Sequence, residues 1–106
     1  MNTNSKGARS EREYKAMLEA EGFQVTRSGG SLGQWDLIAL GSCVLLVQVK
    51  SGAKKYCMAA YRKWDVPKTL PLGVFWQFAM KINRKGWFVY DHEHTTEPRQ
   101  LTPGKE

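Results

Sequence analysis

The stretch "WDLIALGSCVLLVQVKSG", Trp35–Gly52, contains two apolar runs that are separated by Gly41–Ser42. Runs of this length, rich in leucine and valine and divided by a glycine–serine pair, are typical of a β-hairpin with a two-residue turn. In the second run, Gln48 and Lys50 interrupt the apolar pattern. Because side chains alternate across a strand, these two polar groups lie on one face and the neighbouring valines on the other.

The position of these polar side chains predicts a polar cleft, because burying an amide and an ammonium without partners is costly. In a hairpin that turns at Gly41–Ser42, Asp36 lies opposite approximately Val47 and Gln48. An acid, an amide oxygen and the Lys50 ammonium therefore converge. Simpler alternatives remain open at this point: Asp36 caps a turn after the glycine-rich loop, and the two polar side chains lie at the solvated end of an edge strand.

Such a group of side chains suits chemistry on phosphate. Mg2+ is held in proteins by carboxylates, carbonyl oxygens and water. A bound cation lowers the pKa of its water, and a lysine beside it orients that water or stabilises charge on a phosphate. The hairpin therefore indicates phosphodiester hydrolysis.

The other elements follow from periodicity and turn residues. The pattern predicts an α/β fold, with a mixed five-stranded central sheet flanked by two helices, in one domain over residues 1–106. The polar chain from about residue 92 is expected to form a loose tail. We predict helices over Ser5–Glu21 and Tyr56–Asp65, and strands over Phe23–Ser28, Trp35–Leu40, Cys43–Lys50, Gly73–Ile82 and Gly86–Asp91.

Composition favours a polyanionic partner. The 106 residues include 16 Lys and Arg against 10 Asp and Glu, a formal charge of +6. A surplus of this size on a small domain is typical of nucleic-acid binding and, less often, of anionic membrane surfaces. No apolar run is long enough to cross a bilayer, and the N-terminus has no signal-peptide core. We therefore expect a soluble, intracellular protein of the cytoplasm, including that of a virus-infected host cell, with no membrane partner.

The first helix contributes further candidates. Glu11 shares the face of Tyr14 and Leu18 that packs on the sheet, so it can reach towards Asp36. Arg12 is turned away from that face and suits a phosphate. The alternative for Glu11 and Arg12 is an ordinary exposed first turn. Glu13 is expected on the far side, in solvent.

Several segments together resemble the archaeal-type Holliday junction resolvases of the PD-(D/E)XK nuclease superfamily. The resemblance covers about Lys6–Gly52 and returns later in the chain. It rests on "SKGARSEREYKAMLEAEGFQVTRSGGS", "WDLIAL", "LLVQVKSG" and "AMKINRKGWFVYD". It implies a restriction-endonuclease-like fold and a homodimer that binds four-way DNA junctions and cuts two opposing strands with Mg2+, for which Mn2+ is a possible substitute.

The resemblance also assigns roles by position. Glu11 matches the acid of the first helix, Asp36 the metal-binding aspartate, and Lys50 the catalytic lysine. Gln48 stands where the family usually has a second acid, so Glu11, Asp36 and Gln48 would hold the metal with one negative charge fewer. Expected DNA contacts are Arg12, Arg27, Ser28, Ser31 and Lys81, to which the basic surface adds Lys54 and Lys55.

The sequence therefore predicts a Mg2+-dependent endonuclease that resolves Holliday junctions by paired strand cleavage. Two alternatives remain: a nuclease of the same fold that acts on other DNA, and a DNA-binding module whose site has degenerated through loss of the second acid. The four tryptophans are expected to be core residues or anchors of a dimer interface.

Overall fold

The computed structural model describes residues 3–28 and 34–101. Within this part of the chain, each of two helices is followed by three strands. The helices are α1 (Thr3–Ala20) and α2 (Lys54–Lys63), and the strands are β1 (Gln24–Arg27), β2 (Leu37–Leu40), β3 (Val44–Gly52), β4 (Val74–Ile82), β5 (Gly86–Asp91) and β6 (His94–Gln100).

One mixed sheet organises the molecule, with the strands in the order β1-β2-β3-β4-β5-β6. The pair β3–β4 is parallel, and the other neighbouring strands are antiparallel. A parallel pair needs a crossover connection, and α2 supplies it. Strand β3 is therefore an interior strand of the sheet, next to the crossover.

The two helices cover opposite faces of this sheet. Tyr14 and Leu18, one helical turn apart on α1, are buried against the β3 face that carries Val47. Cys57 and Tyr61, one turn apart on α2, are buried on the other face with Phe78. Because each helix buries one apolar stripe, both faces of the central strands are shielded from solvent, except at the positions that carry polar side chains.

The register of the β2–β3 hairpin differs by one position from the prediction. Leu40 pairs with Val44, so the connection has three residues, 41–43, rather than two. Leu37 pairs with Val47, which places Asp36 beside Gln48. The predicted turn at Gly41–Ser42 is therefore wrong in length, while the predicted neighbourhood of Asp36 is unchanged.

The sixth strand corrects the predicted strand count of five and the predicted loose tail. His94–Gln100 forms β6, which pairs with β5 through Asp91 and His94 and through Val89 and Arg99, with a register shift between the two pairs. Pro98 is tolerated because β6 is an edge strand, where a missing N–H interrupts no interior ladder. The α/β class with a mixed sheet and two helices is confirmed.

Candidate active site

Asp36 is held against β3 immediately before β2 begins. Its backbone N–H donates to the Val47 carbonyl oxygen at 2.8 Å, and the Val49 N–H donates to its Oδ2 at 2.8 Å. Burial raises the pKa of the Asp36 carboxyl, and the negative charge of Glu11 raises it further, against the lowering effects of the Val49 N–H, Lys50 and Arg27. The carboxylate is thus fixed in place in a setting that penalises its charge.

Gln48 and Lys50 open onto the same cleft as Asp36. In the parallel β3–β4 pair, Gln48 lies beside Phe78 and Lys50 beside Met80, so both project towards the face that α2 covers. The cleft has a volume of about 400 Å³ and is lined by Gln34, Asp36, Gln48, Lys50, Ala60, Lys63, Trp64 and Phe78. Since β3 is an interior strand, the alternative of a solvated edge strand for these two residues is wrong.

The amide oxygen of Gln48 is the unusual atom of this cleft. Gln48 Oε1 is buried and accepts no hydrogen bond from the residues that the structure describes. A buried acceptor without a partner is expensive, and such atoms are normally satisfied by protein, water or an ion. The oxygen therefore indicates a ligand position beside the Asp36 carboxylate.

Glu11 is paired with Arg27. The Nε and Nη2 atoms of Arg27 donate to Glu11 Oε1 at 3.2 and 3.1 Å, which ties α1 to the end of β1. Glu11 is close enough to Asp36 for its charge to raise that residue's pKa. Glu11 therefore lies near Asp36, although it is not among the residues that line the cleft.

Asp36 and Gln48 bring a carboxylate and an unpartnered amide oxygen to the cleft, and Mg2+ takes oxygen ligands of these two kinds. In the described part of the chain, no group of three or more His, Cys, Asp and Glu side chains is arranged to hold a metal. The cleft lining itself therefore offers one carboxylate, that of Asp36, together with amide oxygens.

The expected DNA-contacting residues lie on several elements. Arg12 is exposed on α1, and Lys54 and Lys55 are exposed in the first turn of α2. Ser28 donates a hydrogen bond to the Trp35 carbonyl oxygen, which links the end of β1 to the residue before Asp36. Ser31 lies outside the described residues.

Glu13 was expected in solvent, but it binds side chains of the sheet. One of its partners is Lys81, another of the expected DNA-contacting residues. Its carboxylate accepts hydrogen bonds from Lys81 Nζ and, at 3.0 Å, from Trp87 Nε1. Partial burial opposes ionisation of Glu13, yet these two donors bring its pKa below the ordinary value. Glu13 therefore fastens α1 to β4 and β5.

The cleft also contains residues that the sequence analysis placed elsewhere or did not consider. Lys63 and Trp64 line the same cleft as Gln48, although the tryptophans were expected to be core residues or anchors of a dimer interface. The indole Nε1 of Trp64 is buried without a partner among the described residues. A signal was available: α2 must cross over the face that carries Gln48, so its last turn had to approach the site.

Comparison with known proteins identifies the family of the chain. A family model described as "Archaeal holliday junction resolvase (hjc)" matches residues 2–100. The structure of Archaeoglobus fulgidus Hjc, a Holliday junction resolvase from an archaeal hyperthermophile, aligns with a TM-score of 0.56 at 19% identity, over 88% of this chain and 93% of that one. A search of curated proteins gave no match. The structural likeness supports the fold, and the family match extends over nearly the whole chain. The chain thus belongs to the archaeal Holliday junction resolvase family, whose members are nucleases.

Proposed function

We propose that the protein is a divalent-metal-dependent endonuclease that resolves four-way DNA junctions by paired strand cleavage. The observation that carries this proposal is the buried, unpartnered Oε1 of Gln48 beside the Asp36 carboxylate. A buried carbonyl oxygen in this condition is suited to act as a neutral ligand for a cation. Family membership supplies the substrate class.

Asp36, Glu11 and Gln48 would hold the cation, which when bound would activate a water and draw in a phosphate oxygen. Asp36 accepts a hydrogen bond from the Val49 N–H, so its side chain would lose little conformational entropy on binding a cation. Lys50, on the same face of β3 as Gln48, would donate to phosphate oxygens as negative charge builds there. The wall formed by Trp64 and Phe78 would limit the access of bulk water to the site.

Paired cleavage further requires two sites. A homodimer with a two-fold axis would present one cleft to each of two symmetric strands of a junction. The positive charge of +6 per chain would supply attraction to the phosphate backbones that converge at the crossover.

The direct experiment compares a synthetic four-way junction with a linear duplex of the same sequence, in Mg2+ and in Mn2+. Symmetric nicks in opposing strands of the junction, with the duplex left intact, are expected. Lys50→Ala and Asp36→Ala are expected to lose cleavage while they retain junction binding. Unimpaired cleavage by either variant would contradict the site assignment.

The same experiment separates the alternatives. Cutting of junction and duplex at equal rates would identify a nuclease with another substrate. Binding without cutting in either metal would identify a DNA-binding module with a degenerate site. The amide at position 48 favours this second candidate, because an amide oxygen attracts a cation less strongly than a carboxylate does.

A further inference from the structure

The ion pair between Arg27 and Glu11 occupies a carboxylate that the proposed site needs. Both Arg27 donors, Nε and Nη2, point at the same oxygen of Glu11. The pair lies near Asp36, since the charge of Glu11 raises the pKa of Asp36 and the charge of Arg27 lowers it. We propose that this pair is a latch that couples phosphate to cation: a DNA phosphate that takes up Arg27 releases Glu11 for the divalent cation. This inference rests on the proposed function.

The latch works by competition at Glu11 Oε1. A guanidinium within 3.2 Å of this oxygen uses its lone pairs and places a positive charge where a cation would bind. Two positive charges at such short range repel each other, and the repulsion falls when either is neutralised. A cation therefore binds Glu11 more weakly while Arg27 remains paired with it.

The pair is also easy to open. The side chains of Arg27 and Glu11 are 38% and 22% exposed. An ion pair with this much solvent contact stabilises a protein by about 0.2–1 kcal/mol. A DNA phosphodiester carries the same single negative charge as a carboxylate, but it can accept two parallel hydrogen bonds from a guanidinium. Both Arg27 donors share one Glu11 oxygen in the present pair, so a phosphate competes effectively for Arg27. Arg27 ends β1, next to the segment where the resemblance places DNA contacts.

Linkage makes the effect reciprocal. If phosphate at Arg27 raises the affinity of the site for a cation, the cation raises the affinity for DNA by the same factor. The site is then assembled only when DNA and metal are both present, which limits metal binding by the free protein. An arginine that merely positioned Glu11 would have the opposite effect, since its removal would weaken metal binding.

The test measures Mn2+ binding to the full chain without DNA, by calorimetry or electron paramagnetic resonance. Arg27→Gln is expected to bind Mn2+ about two- to fivefold more tightly than the parent protein. Arg9→Gln, which removes an exposed positive charge from α1, is the matched control and is expected to bind as the parent does. Equal or weaker binding by Arg27→Gln would overturn the latch and leave the metal site standing.

A second variant tests the latch by changing the acid instead of the arginine, and it is needed if Arg27→Gln does not fold. Glu11→Gln frees Arg27, so it is expected to bind a four-way junction about two- to fivefold more tightly in EDTA than Glu19→Gln does. Glu19→Gln removes a carboxylate from the same helix that is paired with Lys15 instead. No gain over Glu19→Gln would overturn the latch. If Asp36→Asn leaves Mn2+ binding unchanged, the proposed metal site itself is wrong, and the latch fails with it.

Discussion

At the scale of single residues, the proposed metal site depends on the amide of Gln48. In that proposal the amide supplies an oxygen where the family resemblance implies an acid, but without the charge that attracts a cation over distance. The buried oxygen has no partner of its own among the described residues. Replacing this amide by a carboxylate is expected to strengthen metal binding, whereas replacing it by an apolar side chain is expected to weaken it.

Gln48→Glu is expected to lower the Mg2+ concentration for half-maximal cleavage by about tenfold, because a carboxylate adds a unit charge at the ligand position. The measurement is a Mg2+ titration of junction cleavage. An unchanged requirement would show that residue 48 does not contact the metal.

Gln48→Met is the matched control for this titration. It keeps the length of the side chain and removes the oxygen, so it should lose cleavage while the fold gains about 1 kcal/mol from the removal of an unsatisfied acceptor. Retained cleavage would contradict a ligand role for Gln48.

A second residue-scale expectation concerns Asp36 and pH. Its folded-state pKa is raised, with burial as the first cause, so the folded state binds the proton more tightly than the unfolded chain does. The contribution of Asp36 to stability is therefore present below its unfolded pKa near 3.8 and is lost as the pH rises through the raised value. Asp36→Asn should abolish this loss, and so should raise the unfolding free energy at neutral pH.

Urea unfolding of the parent and of Asp36→Asn from pH 4 to 8 measures the difference. Asp65→Asn, at an exposed position after α2, gives the effect of removing a surface carboxylate. A difference between the parent and Asp36→Asn that does not widen with pH would contradict the expected sign.

Residue positions near one strand could be predicted, whereas contacts between elements could not. Strand parity placed Gln48 and Lys50 on one face, and hairpin pairing placed Asp36 beside them. The Arg27–Glu11 pair depends on where α1 crosses the end of β1, which no local pattern specifies. For the same reason Glu13 was expected in solvent, although it binds Lys81 and Trp87.

At the scale of elements, β6 shows what local patterns omit. Its sequence, HTTEPRQ, lacks the alternation of a half-buried strand and contains a proline. An edge strand tolerates both features, since one of its sides is free of ladder hydrogen bonds. What fixes β6 is a buried side chain on the preceding strand, Asp91, which sequence periodicity does not identify.

Asp91→Ala is expected to destabilise the fold by about 2–3 kcal/mol. Its Oδ1 accepts from the Glu93 and His94 N–H groups at 3.0 and 2.9 Å, and its Oδ2 accepts from Arg99 Nε at 3.1 Å. Burial alone would raise the pKa of Asp91, but the donors His94 and Arg99 bring it below the ordinary value. The contribution is thus present above the unfolded pKa and is lost as the pH falls through the folded one.

Urea unfolding at neutral pH, with hydrogen exchange of the β6 amides, measures this loss. Glu93→Ala in the same turn is the control, because its side chain is 72% exposed. Equal stability of Asp91→Ala and Glu93→Ala would show that the carboxylate does not hold β6 in place.

At the scale of the whole molecule, the basic surplus becomes a measurable property of DNA binding. Lys54 and Lys55 begin α2 close to the end of β3 that carries Lys50. Each phosphate contact on duplex DNA contributes about 0.9 to the slope of log affinity against log salt. The double substitution Lys54→Gln and Lys55→Gln should therefore reduce that slope by about 2.

Junction binding measured across a range of salt concentrations provides this slope. Lys68→Gln removes an exposed positive charge beyond the end of α2 and is expected to leave the slope unchanged. An unaltered slope in the double variant would place the DNA path away from the start of α2.

Among the described helices, none is long and apolar enough to span a membrane.

The parallel pairing of β3 with β4 has a consequence during synthesis on the ribosome. Glu11, Asp36, Gln48 and Lys50 all emerge before α2 and β4, so every proposed ligand leaves the exit tunnel before the strand that must lie beside β3. Until residue 82 has emerged, the nine-residue β3 presents an open edge that can pair with other nascent chains. The strand that carries the proposed chemistry is therefore exposed to mispairing during synthesis until β4 lies beside it.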